Sequence, residues 1–176
     1  MAKHFNITGE LTKELVAPGD NVNISSISLT NTDPTHSGTV DLYIEKKLTG
    51  KFYLLKNVSI PVGVTLLHDI KGFNNRVGEF GLYIKLTKGT AFAITITANG
   101  GTEGIDPAAD TAVIGVGTSF LSDLSIGDEI VVSGETRIVT AIASDTSLTV
   151  SVAFSNNSND ATPDCNPVAP VDVILS

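Results

Sequence analysis

Apolar and polar residues alternate with a period of two along most of this chain, the repeat of strands with one face buried. The clearest run spans Gly117 to Val150, GTSFLSDLSIGDEIVVSGETRIVTAIASDTSLTV. Ser119 to Leu124 lead into a turn at Gly127-Asp128, and Glu129 to Val132 form a strand. Ser133-Gly134-Glu135 turns the chain, Arg137 to Ile142 return, Ser144 to Ser147 turn again, and Leu148 to Val152 close. Short strands punctuated by Gly, Asp and Ser predict a small β-barrel.

Upstream the same period predicts a β-sandwich. Val22 to Leu29 alternates with one slip at Ser25-Ser26, which reads as a bulge. Asn31-Thr32-Asp33-Pro34 and Ser37-Gly38 form a loop, followed by strands at Val40–Ile44, Phe52–Leu55 and Val58–Ile60. Pro61 and Gly63 make the last of these an edge strand or a strand end. Phe80–Leu86 sets Leu82, Ile84 and Leu86 on one face, and Ala91–Thr97 does the same with Phe92, Ile94 and Ile96. No long amphipathic helix is visible; single helical turns are expected at Thr65–Asp69 and Leu121–Leu124.

The expected fold is therefore all-β: an antiparallel β-sandwich plus a small SH3-like β-barrel module. Residues 1–102 are assigned to the sandwich and 103–169 to the barrel with its C-terminal loop. Asn99–Gly104 is the connector, and Ser155–Pro170, rich in Asn, Ser, Pro and Asp, is expected to be irregular. Val171–Leu175 alternates like a core strand. If it returns to the first domain, residues 170–176 complete the sandwich and the barrel is an insertion. Pairing with residues 112–154 is the other topology.

Charge divides the chain at the same place. Residues 1–98 hold ten of the eleven basic side chains and eight of the nineteen acids; residues 99–176 hold one basic residue and eleven acids. The second part, at a formal −10, would repel phosphate backbones, so no nucleic-acid partner is expected. Hydrophobic content of 41% suits a packed core. No apolar run nears the roughly 20 residues that span a bilayer, so no membrane partner is expected either. The first residues lack the apolar core of a signal peptide, and the single cysteine, Cys165, fits a reducing cytosol. Asn6, Asn23 and Asn57 match the glycosylation pattern, which has meaning only on a secreted route.

Chemistry-bearing patterns are sparse. The chain has no phosphate loop with Lys-Ser/Thr, no zinc spacing and no Gly-x-Ser-x-Gly elbow. Gly115-Val116-Gly117-Thr118-Ser119 has no helix pattern behind it and reads as the flexible lead into a strand. His4, His36 and His68 are separated by turns and read as surface or rim residues. Cys165 has no basic neighbour to lower its pKa. Asp106 with Asp110, and Asn156, Asn157, Asp160 and Asp164, are oxygen-rich but lack a calcium-loop pattern. Asp123, Asp128 and Glu129 read as turn formers, and Tyr43, Phe52, Tyr53, Phe73, Phe80 and Tyr83 as packing or interface aromatics. The expectation is no catalytic residue, no cofactor and no metal.

Two stretches carry a resemblance. Ile27–Asn31, Thr39–Ile44 and Tyr53–Leu66 are similar to a sandwich pattern in virion proteins of marine and cyanobacterial tailed phages. In that pattern a strand like Leu82–Leu86 is followed by a closing strand resembling Val171–Leu175, a place for which Ala93–Thr97 competes. Gly117–Phe120 through Gly127-Asp128 to Arg137–Ile142 and Asp145–Val150 resembles a small β-barrel module of phage capsid, neck and tail proteins. The resemblance implies a virion structural protein assembled in the host cytoplasm, foremost a capsid decoration or cement protein. A neck, tail or tail-fibre component, with a host-glycan-binding module, is the alternative. It implies contact with major capsid or tail proteins and a homo-oligomer on the particle. The contact elements would be residues 1–18, 33–38 and 155–170, and Phe5, Asp33, His36, Tyr43, Tyr53, Asn157 and Asp160 are the expected partner-binding residues. The sandwich's slightly positive balance would then face an acidic particle surface, leaving the acidic module to solvent.

Overall fold

Hydrophobic alternation becomes strand pairing throughout the computed structural model, which describes residues 2–9, 11–46, 50–76, 78–97, 102–107 and 110–176. In chain order the elements are β1 (Lys3–Ile7), β2 (Thr12–Val16), β3 (Asn23–Asn31), β4 (Gly38–Lys46), β5 (Gly50–Ile60), β6 (Thr65–Asn74) and β7 (Phe80–Thr87). Then come β8 (Phe92–Ala93), β9 (Gly104–Pro107), β10 (Ala112–Val116), α1 (Phe120–Asp123), β11 (Glu129–Val132), β12 (Glu135–Ser144), β13 (Ser147–Val150), β14 (Asp164–Asn166) and β15 (Val171–Leu175). The chain divides into two units, residues 1–88 with 169–176, and residues 89–168.

The first unit contains two four-stranded antiparallel sheets, β1-β15-β3-β6 and β2-β7-β4-β5. Alternation decides what each face does. Leu42, Leu82, Ile84 and Leu86 turn inward from one sheet, and Ile27, Leu29, Val173 and Leu175 from the other; all are buried. β15 lies between β1 and β3, with Val173 opposite Phe5 on one side and Leu29 on the other. The register of β3 with β6 shifts between Ile24 and Ser26, where the sequence slips. There the amides of Ser25 and Ser26 both donate to the Ser176 carbonyl, at 2.7 and 3.0 Å.

Residues 89–168 form one seven-stranded antiparallel sheet, β8-β14-β11-β12-β13-β10-β9. The sheet curls: Ile105 and Asp160 exchange backbone hydrogen bonds, and Thr97 N donates to Gly117 O, so segments from opposite ends of the strand order meet. Ile105, Val113, Phe120, Ile130, Val139, Leu148, Phe154 and Cys165 fill a single core inside it. The turns at 133–134 and 145–146 fall where the sequence places them, and that expected at Gly127-Asp128 falls one residue earlier, at 126–127.

Three expectations are corrected. Thr65–Asp69 is part of β6, not a helical turn, because its backbone groups pair with β3 from Thr30 opposite Thr65 onward. The division falls after Lys88, not after residue 102, since Phe92 pairs with Cys165 and Ile94 is buried in the second core. The flexible lead at Gly115-Val116 is instead the end of β10. Residues 99–101 of the Asn99–Gly104 connector lie outside the described residues, and Gly104 begins β9.

The two ends of residues 89–168 meet where Gly89 N donates to Pro167 O at 2.8 Å. Replacing residues 89–168 with a short Gly-Ser link between Lys88 and Ala169 is therefore expected to leave a sandwich with a β-type circular dichroism spectrum and a cooperative melt. A broad, non-cooperative melt would count against that autonomy.

Candidate functional site

Most acidic side chains near the expected contact loops serve the backbone. Asp33 is buried in the loop after β3; its Oδ1 accepts from Thr35 N at 2.8 Å and His36 N at 2.6 Å. Its own amide donates to Asn31 Oδ1 at 2.9 Å. His36 is half-buried, with Nδ1 2.8 Å from Thr35 Oγ1 and 3.4 Å from Asp33 Oδ1. Asp160 accepts from Ser133 N at 2.5 Å and Thr162 N at 2.8 Å. Asp128, fully buried, accepts from Ser125 N and Val168 N, both at 2.8 Å. These are loop-building carboxylates, short acceptors that satisfy amides the ladder leaves over.

The aromatic residues fall into register. Glu14, Tyr83, Tyr43 and Tyr53 form one row across β2, β7, β4 and β5, on the face opposite the core. Tyr43 stacks on Tyr83 with centroids 5.6 Å apart and tilts against Tyr53 at 5.7 Å. Lys51 Nζ lies 4.4 Å from the Tyr43 centroid and Lys56 Nζ 4.6 Å from that of Tyr53. Tyr43 is thereby only 2% exposed, against the expectation that it meets a partner: its neighbours' side chains cover it. A Cβ at Gly81 would come within 2.9 Å of Tyr83 Cε2, so the missing side chain makes room for that ring. Tyr83 donates to Glu14 Oε2 at 2.7 Å, and this bond, with burial, pushes its pKa up to about 12.

Exposed apolar groups mark the remaining surfaces. Phe5 is half-buried on β1, beside a shallow groove that the Lys3–Asp20 pair (2.6 Å) borders. Tyr53 is 44% exposed and its neighbour Phe52 is 54% exposed. Asn157 is exposed in the loop before β14. The expected residues form two touching pairs, Tyr43 with Tyr53 on one sheet and Asp33 with His36 in one loop, while Phe5, Asn157 and Asp160 lie elsewhere. The outward face of β10 carries Ala112, Ile114 (56% exposed) and Val116 (40%) in succession. Sequence reasoning counted Phe52 among the packing or interface aromatics without singling it out, and overlooked this stripe. Two adjacent aromatics in a strand must face opposite sides, which was the available signal for Phe52.

Residues 89–168 carry ten acids and one basic side chain, Arg137. Arg137 is committed to its own unit: it pairs with Glu135 (Nη2 to Oε2, 2.5 Å), donates from Nε to Ala153 O at 3.1 Å and lies 5.1 Å from the Phe154 centroid. Glu135 also accepts from Ser155 N and Asn156 N, at 3.0 and 2.7 Å, and these two amides hold its carboxyl below the usual range, with Arg137 adding to the effect. Among the described residues no three His, Cys, Asp or Glu side chains converge, and no helix is long and apolar enough to cross a membrane. No family model, curated protein or solved structure matches the chain.

Three outcomes follow from these geometries. Asp128→Ala strands two amides, so chemical denaturation should show a loss of about 2–4 kcal/mol; a loss near zero would contradict the anchoring role. The lowered Glu135 pKa means its stabilisation is present above the ordinary value of 4.5 and fades as pH falls through the folded-state value. Melting followed from neutral to acid pH should give Glu135→Gln a flatter acid limb than the parent. The Tyr83 phenol stabilises the fold below its ordinary value of 10.0 and loses that contribution as pH rises toward about 12. Ultraviolet titration should find a late-ionising step from Tyr83, which Glu14→Gln returns toward the ordinary range.

Proposed function

We propose that this chain is a structural protein of a tailed-phage particle, bound to the assembled shell as a decoration or cement protein. Neck, tail or tail-fibre placement is the alternative within the same class. The reading rests on the resemblance of both stretches to virion proteins, joined to one structural observation. Apolar side chains stand outward in charged surroundings, at Ala112, Ile114 and Val116 and again at Phe52 and Tyr53, whereas Asp33, Asp128, Glu135 and Asp160 are engaged with backbone amides. Outward apolar groups of this kind suit association with protein surfaces.

On a symmetric shell, each modest contact is multiplied by copy number, and binding stabilises the shell by mass action. Glycan stacking is the weaker reading, because Tyr43 is covered and Lys56 lies over the Tyr53 ring. Mass spectrometry and cryogenic imaging of purified particles test the proposal. The expected result is all-β density for this chain, repeated at a copy number set by the particle's symmetry. Recovery of the chain only as soluble protein outside particles would overturn it.

A further inference from the structure

β6 ends the sheet β1-β15-β3-β6, and among the described residues no strand lies on its far side. Its register against β3 runs without a shift from Thr65 to Asp69; the bulge, with Gly72 at a φ of 81°, comes only afterwards. Hydrogen bonding on β3 shows which backbone groups are left over. Thr32 N donates to Pro170 O on the β15 side, whereas Asn31 N donates to Val64 O on the β6 side. These directions alternate along a strand, so Leu66 and His68 pair with β3, while Thr65, Leu67 and Asp69 turn their N–H and C=O to the open side. Leu66 sits opposite the buried Leu29 and faces the core, which puts the side chains of Thr65, Leu67 and Asp69 on the outer face. All three are exposed, Leu67 to 66%.

The other edges of the sandwich are guarded. β1 is five residues long, and Lys3 at its start pairs with Asp20. β2 carries Lys13 and Glu14 beside a register shift, and β5 is shifted twice and holds Asn57 at a φ of 53°. The run Thr65–Asp69 contains no Pro, no Lys and no bulge, the devices that keep strand edges apart.

We infer that β6 pairs with β6 of a second copy, antiparallel about a two-fold axis at Leu67. The run is its own complement in this register. Leu67 exchanges both hydrogen bonds with its counterpart, and Thr65 does the same with Asp69 of the other copy, so every open group of the run is used. Centring the pair on Asp69 would set carboxylate against carboxylate, and centring it on Leu66 or His68 leaves an end residue of the run without its match. On the outer face the two Leu67 side chains meet, and Ser28 and then Ile174 (42% exposed) follow in the same row of each copy. On the core side, half-buried Leu66 meets half-buried His68. The contact is isologous and lies wholly within residues 1–88 and 169–176. So short a ladder buries little area, which makes one contact weak in solution. It stands on the strand edge and does not require the particle assignment.

Sedimentation velocity on the full chain, from micromolar to sub-millimolar concentration, tests it. The parent mass is expected to rise from 18.3 kDa toward twice that value. Leu67→Lys and Thr65→Asp should each weaken association at least tenfold, and both alter exposed positions, so their melts should follow the parent's. T65D/D69K should associate within about threefold of the parent, because residue 65 faces residue 69 only across the axis; within one strand they stand about 13 Å apart. Leu67→Cys should oxidise to a disulfide-linked dimer, since residues paired in this way have Cα atoms about 5.5 Å apart. Ile174→Cys, about 24 Å from its counterpart across the joined sheet, should not. A parent that stays monomeric throughout, association that survives Leu67→Lys, or a T65D loss that D69K leaves unrestored overturns the inference. Cross-linking of Ile174→Cys as readily as Leu67→Cys does so too. Self-association by a chain absent from particles would overturn the particle assignment alone. A particle-borne chain that stays monomeric would overturn this contact alone.

Discussion

β15 accepts and donates backbone hydrogen bonds on both sides, and the sheet β1-β15-β3-β6 would be cut in two without it. The chain must therefore place residues 171–175 between strands that lie some 140 and 165 positions earlier, after travelling through the whole of residues 89–168. An unstructured loop of that length would carry a closure cost that grows only slowly with length. A folded insert whose ends already meet reduces it further, and the Gly89–Pro167 hydrogen bond supplies that meeting. Gly89 is suited to it, because a Cβ there would fall 2.8 Å from Pro167 Cγ. The arrangement makes sandwich completion a long-range pairing, the kind of topology that folds slowly.

The acids explain how a chain with a net charge of −8 keeps regular turns. Asp33, Asp41, Asp128, Glu135 and Asp160 each accept from main-chain amides at a loop, a bulge or a turn. Asp41 shows the logic at a bulge, where its Oδ1 takes the Asn57 amide at 2.7 Å. Such carboxylates are spent locally, on amides that the strand ladders leave over. The Oδ2 of Asp33 has no hydrogen-bond partner, but it is sealed within the loop.

Strands were legible wherever one face is apolar and the other polar. Phe80–Leu86 and Glu129–Val132 are such cases, and both form as the pattern implies. β10 was not legible, because Val113 and Gly115 turn inward while Ala112, Ile114 and Val116 turn outward, leaving no polar contrast. The domain boundary was obscured for a related reason: Phe92 to Ile96 alternates as well as the sandwich strands do, and only pairing with Asp164-Cys165 shows which core it joins. For the surfaces, alternation placed Tyr43 opposite Leu42 and hence outward. Its coverage by Lys51, Tyr53 and Tyr83 depends on which strands lie side by side, information that one strand does not contain.

The ladder between β1 and β15 has a mechanical side. Lys3 and Leu175 sit opposite each other at one end of it, and Ile7 and Val171 at the other. Tension applied through residues 3 and 175 would load the rungs in turn, peeling them like a zipper, whereas shear would load all five together. A tether at that end gives way at low force, and what it frees is the edge strand, leaving β15 still held by β3.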